Sequence, residues 1–174
     1  MHVVIFEDSH WHAFAPLSLS RPVFSLASGM CTLLEKQIRH LNPSRLTLWV
    51  RPEFEAFCRE RIAPQTGVPT DVNAPLDGAP AILINGRTAL SSRLAAPSRE
   101  AIHAVNGVVL AAMTSRAGLT PGDALSESGR WLDLLKLNET ECHGRLLESP
   151  VDLIYWNEQS LIEDFAGLKE PSQA

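Results

Sequence analysis

The sequence predicts an α/β domain built on a mostly parallel sheet flanked by helices. Short, nearly continuous apolar runs recur at 3–6, 46–50, 81–85 and 107–113. Each has the length and texture of a strand covered on both faces. Between the early runs lie apolar residues at helical spacing, and strand–helix–strand alternation is the pattern of right-handed βαβ units. The 174 residues, 45% hydrophobic and 20% charged, suffice for one sizeable core and fit two domains poorly.

In chain order, "HVVIF" is the first strand. Met30, Leu33, Leu34, Ile38 and Leu41 then mark a helix, with Glu35, Lys36, Arg39 and His40 on its other side and Glu35 and Arg39 at i,i+4. "TLLE" at 32–35 matches a capping box, and Ser28 is an equally good start. "LTLWV" is the second strand. After Pro52, Phe54, Phe57, Cys58 and Ile62 repeat at helical spacing. Pro64, Gly67, Pro69, Pro75, Gly78 and Pro80 make 63–80 a long loop or weakly structured crossing. "AILIN" is the third strand, stopped by Gly86. Ser98 is placed to cap a short helix through Ala104, and "GVVLAAM" at 107–113 is the fourth strand. "LTPGDAL" reads as a turn. Trp131, Leu134 and Leu135 suggest a helix from about Arg130. Asn157 is placed to cap a last helix that buries Leu161, Ile162, Phe165 and Leu168. The domain therefore spans 1–168, and 169–174 is a frayed tail.

The net charge of −5 comes with no basic block, which argues against nucleic-acid and membrane-surface binding. The longest apolar run, "VVLAAM", is far too short to span a bilayer. The three cysteines, Cys31, Cys58 and Cys142, are odd in number and widely spaced. They suit free thiols in a reducing compartment, and no C-x-x-C suggests zinc. With no basic stretch and cleavage site at the N-terminus, the cytoplasm is expected. Cys31 reads as a core residue of the first helix. The four tryptophans, Trp11, Trp49, Trp131 and Trp156, read as packing rather than a base-stacking platform.

Ligands of open α/β sheets bind at the carboxyl ends of the strands. The segment after the first strand holds Glu7-Asp8, then Pro16-Leu17-Ser18-Leu19-Ser20-Arg21-Pro22-Val23, then Gly29 and Thr32-Leu33-Leu34-Glu35-Lys36. This block resembles the N-terminus of the sugar nucleotidyltransferases related to bacterial N-acetylglucosamine-1-phosphate uridylyltransferase. "INGR" at 84–87 and "SPVDLIYWNEQSLIEDF" at 149–165 resemble two further segments of that family. The resemblance implies a shortened nucleotidyltransferase-like, Rossmann-like domain, in relatives commonly followed by a β-helix that this sequence does not contain. It implies transfer of a nucleotidyl group from a nucleoside triphosphate to a sugar 1-phosphate with release of pyrophosphate. Magnesium is the implied cofactor. A homo-oligomer is an open expectation. The alternative is a non-catalytic nucleotide-sugar-binding or assembly module on the same fold.

The sequence departs from the active relatives in three places. "EDSHWHAFA" stands where their glycine-rich loop cradles phosphates, Val23 where they carry a lysine, and Arg87 where they carry a magnesium-binding aspartate. The candidate catalytic residue is Arg21, whose guanidinium fork suits phosphate oxygens or a structural carboxylate equally. Glu7, Ser20, Asn85, Gly86 and Arg87 are candidate substrate contacts. Asp8 and Asn157 are candidate magnesium ligands, with turn-building as the other use of Glu7 and Asp8. Asp8, His10 and His12 alternate, a pattern that allows a metal but more often marks a solvated loop.

Overall fold

The computed structural model describes residues 1–89, 100–126, 137–141 and 145–169. Strand β1 (His2–Phe6) lies between β4 (Arg45–Trp49) and β6 (Ala81–Asn85), parallel to both, with Phe6 level with Trp49 and Asn85. A seven-stranded sheet runs in the order β5-β4-β1-β6-β8-β7-β9. Its outer strands are β5 (Thr70–Val72), β7 (Ala101–Val105), β8 (Val108–Thr114) and β9 (Glu139–Glu141). Among the described strands only β8 runs against the rest, because it pairs antiparallel with both β6 and β7. β2 (Ala27–Ser28) and β3 (Cys31–Thr32) form a separate small hairpin.

Alternating side chains explain why the sheet is covered on both faces. Val3, Ile5, Leu46, Leu48, Ile82 and Ile84 pack on one face. Val4, Phe6, Trp49, Leu83 and Val109 pack on the other. Helix α1 (Leu33–Leu41) covers the first face with Leu34 and Leu41. Its capping box forms as expected, with Thr32 Oγ1 accepting from Glu35 N–H at 3.1 Å and Glu35 Oε2 from Thr32 N–H at 2.6 Å.

Several expectations change. The helix expected to run to Ala104 gives way to β7 over 101–105, which turns through Asn106 and Gly107 into β8. Both turn residues have positive φ, 52° and 74°, as a tight hairpin requires. Ser98 and the helix expected near 130–135 lie outside the described residues. "LTPGDAL" contains a short helix, α3 (Pro121–Leu125), with a Thr120–Asp123 capping box. The 63–80 crossing contributes β5. The helical spacing at 54–62 becomes a 3-10 turn, a short α2 (Glu55–Phe57) and a π-helical turn at Cys58–Ile62.

The largest change is at the C-terminal end. α4 (Pro150–Tyr155) leads through Trp156 into α5 (Asn157–Lys169). The apolar residues expected to be buried point outward: Leu161, Ile162 and Phe165 are 38%, 57% and 58% exposed. The Leu168 side chain lies outside the described ones. Ser160 and Asp164 are buried instead. Ser160 Oγ meets Ser28 Oγ at 2.9 Å. Asp164 accepts from Lys36 Nζ at 2.9 Å, Met30 N–H at 2.9 Å and Arg39 Nη2 at 2.6 Å. Burial alone would raise the Asp164 pKa, but the bonds from Lys36, Met30 and Arg39 outweigh it and hold it down to about 2. Cys31 sits in β3, outside α1, with Sγ 3.6 Å from Asp164 Oδ1. Burial, then the Asp164 charge, pushes that thiol up. Among the described residues no helix is long and apolar enough to cross a membrane.

Candidate functional site

The carboxyl ends of β4, β1 and β6 form the rim where a ligand is expected. Glu7 and Asp8, just beyond β1, are both buried. Glu7 Oε1 accepts from Val23 N–H at 2.9 Å, and Oε2 from Arg51 Nε at 3.1 Å. Arg51 also donates to Ser18 O at 2.8 Å. Its guanidinium lies 3.9 Å from the Trp11 ring centroid and 4.7 Å from that of Phe54. The neighbouring Cys58 thiol is pushed up to about 12, by burial and then by the Glu7 charge.

Asp8 mirrors this on the other side of β1. Its Oδ1 accepts from Arg87 Nε at 3.0 Å, and its Oδ2 from Arg87 Nη2 at 2.6 Å and Asn85 Nδ2 at 2.8 Å. Arg87 Nη1 donates to Leu147 O at 2.6 Å. Asn85 closes the corner: Oδ1 accepts from Arg87 N–H at 3.0 Å, and Nδ2 donates to Val109 O at 3.0 Å. Two arginine–carboxylate pairs therefore tie three strand ends together.

Sequence reasoning did not find Arg51, nor the Asp8–Arg87 pairing. A signal existed. Arg51 and Arg87 each stand two residues past the end of a strand in register with β1. Parallel, in-register strands bring such positions to one height.

The expected site residues separate into four places, the first being Glu7 on the Arg51 side of β1. Asp8, Asn85, Gly86 and Arg87 share the β1–β6 corner, where Arg87 is 2% exposed and its guanidinium donates to Asp8 and to Leu147 O. Arg21 and Ser20 are exposed on the loop after β1. Arg21 makes no hydrogen bond or ion pair with a described residue, and Ser20 Oγ donates to Leu17 O at 3.2 Å. Asn157 stands apart, its Oδ1 accepting from Gly29 N–H at 3.0 Å. It is the first residue of α5 and bridges to the β2–β3 turn, where a helix cap was expected.

This donor set does not fit a resident magnesium ion. Both Asp8 oxygens face a guanidinium, and Asn157 shares no partner with Asp8. Among the described residues no three His, Cys, Asp or Glu side chains gather into a metal-holding group. His10 Nε2 and His12 Nδ1 each bond a backbone carbonyl, Glu148 O at 3.1 Å and Ser9 O at 2.7 Å.

Gly86 has a local reason. A Cβ there would lie 3.0 Å from Phe6 O and 3.1 Å from Phe24 Cβ and Cδ1. Gly86→Ala is expected to destabilise the fold by about 1–3 kcal/mol. Denaturant unfolding measures this, and a change below about 0.5 kcal/mol would count against the close fit.

Arg21 lines a groove of about 300 Å³ between α1 and the 57–66 segment, with Leu34, Ile38, Phe57, Ile62 and Gln65 among its walls. The groove lies apart from the Asp8–Arg87 corner, none of whose residues lines it.

No curated protein sequence matches the chain. Solved structures similar to the chain include the following two. One is described as a glucose-1-phosphate thymidylyltransferase from Bacillus anthracis in complex with a sucrose. It is 11% identical with a TM-score of 0.48, over 92% of this chain and 94% of that one. The other is a CTP:phosphocholine cytidylyltransferase from Streptococcus pneumoniae, 10% identical with a TM-score of 0.48, over 90% and 97%. The family model described as "Sugar nucleotidyl transferase" matches residues 3–173, nearly the whole sequence, and the chain belongs to that family.

Proposed function

We propose that the chain transfers a nucleotidyl group from a nucleoside triphosphate to a sugar 1-phosphate, as a relative of N-acetylglucosamine-1-phosphate uridylyltransferase. A phosphate oxygen of the sugar phosphate attacks the α-phosphorus, the bond to the β-phosphate's bridging oxygen breaks, and pyrophosphate leaves. Positioning and charge neutralisation do most of the work in such a step. The observation that carries the reading is Arg21, within the Ser20-Arg21-Pro22-Val23 signature, exposed and spent on no described partner. Of the two arginines among the expected site residues, it is the one not paired with a carboxylate. Magnesium enters this reading with the triphosphate and not through Asp8 and Asn157.

Pyrophosphate release across a panel of triphosphates and sugar 1-phosphates, with magnesium present, tests it. Turnover is expected for one pair, and Arg21→Gln is expected to lower it by about 100-fold. No release from any pair sinks the reading.

A second reading, a nucleotide-sugar-binding or assembly module, is favoured by one observation. The acids at the end of β1 are consumed by Arg51 and Arg87. In that case a nucleotide sugar raises the melting temperature without magnesium, by linkage, and no pyrophosphate appears.

A further inference from the structure

The groove beside Arg21 has a composition that selects among ligands. Leu34, Ile38 and Ile62 give it an apolar floor, and Phe57, 40% exposed, offers a ring at its edge. Most of its polar groups are already spent. Glu35 is held by Thr32 through the capping box, and Arg39 by Asp164. Two remain that bond no described residue: the Arg21 guanidinium and the Gln65 amide. The segment supplying Phe57 and Ile62 contains the π-helical turn Cys58–Ile62, a departure from α-helix that is frequent at functional sites.

We propose that this groove takes the nucleoside half of a nucleoside 5′-phosphate unit whose phosphate lies on Arg21. The proposal rests on Arg21 as the phosphate anchor, and it moves the base away from the strand-end rim. A guanidinium fork matches phosphate. A side-chain amide offers both a donor and an acceptor, as the edge of a base requires. An aromatic ring over an aliphatic floor suits a flat base. The volume, about 300 Å³, is that of a small ligand cleft. Phe57 and Gln65 are then the residues that set base preference.

Calorimetric titration of the full chain with the four ribonucleoside 5′-monophosphates and with ribose 5-phosphate tests it. At least one monophosphate is expected to bind about 10-fold tighter than ribose 5-phosphate, the worth of one stacked base. Phe57→Ser is expected to erase that advantage and leave ribose 5-phosphate binding unchanged. Gln65→Met is expected to alter the ranking of the bases. Both side chains are exposed, so an unchanged melting temperature confirms that the variants are folded. Equal affinity for all five compounds, no binding by any, or a base advantage that survives Phe57→Ser overturns the proposal. Pyrophosphate release is a separate readout. Base-dependent binding without release leaves the groove assignment standing and sinks the transfer reading. Release by the Phe57→Ser and Gln65→Met variants with unaltered base preference does the reverse.

Discussion

Arg87→Met is expected to destabilise the fold by about 3–5 kcal/mol, the cost of leaving a buried charge without its partner. The variant strands Asp8, whose two oxygens lose three guanidinium contacts, and it removes the donor to Leu147 O. For a chain of this length that is a fall in melting temperature of about 10 °C. The double variant Asp8→Ala/Arg87→Met is expected to recover more than about 1 kcal/mol relative to the summed single losses, because the two groups form one unit. Unfolding curves for the four proteins close the cycle. Strict additivity would show that the pair does not hold the rim. The outcome also bears on activity. A rim that opens easily can still admit a phosphate to Arg87, whereas one that costs several kcal/mol to open leaves the phosphate to Arg21.

Asp164→Asn is expected to have a comparable effect at neutral pH, about 3 kcal/mol. The substitution keeps the shape but leaves Lys36, whose side chain is 3% exposed, without a counter-charge. The pH dependence has a definite sign. Asp164 is held down to about 2, against 3.8 for an ordinary aspartate. Its contribution is therefore complete above pH 3.8 and is lost as pH falls through the folded-state value. The depression corresponds to about 2 kcal/mol of linkage. Denaturant unfolding of both proteins at pH 7 and pH 3 should show the gap narrowing at the lower pH. A gap of equal size at both would mean that Asp164 acts through shape and not charge.

The central strands were legible because each is buried on both faces and so spells its own run of apolar residues. β7 was not, although Val105-Asn106-Gly107-Val108 carries the strongest short-range hairpin signal there is. Alternation in "AIHAV" is weak evidence beside alanines that suit a helix equally well. The last helix shows a different limit. Periodicity in Leu161, Ile162 and Phe165 identifies an apolar face but not the direction in which it looks. Asn157, Ser160 and Asp164 share the same helical spacing, and their partners on α1 and the β2–β3 hairpin lie more than a hundred residues away. Of the site, the strand-end acids and Arg21 could be read from position. The partners of those acids could not, because pairing across strands depends on register, which no local pattern states.

The orientation of α5 has a consequence for how this chain can change. Among the described side chains of α5, those bonded to the body of the protein are Asn157, Ser160 and Asp164, and they occupy one side. Val151, Ile154 and Tyr155 on α4, with Ile162 and Phe165 on α5, are 57–78% exposed. Substitutions at these five positions leave the attachment untouched. The residues that hold these two helices and the apolar residues they expose are thus different ones, so selection can revise the outer face of this flank without having to rebuild what holds it in place.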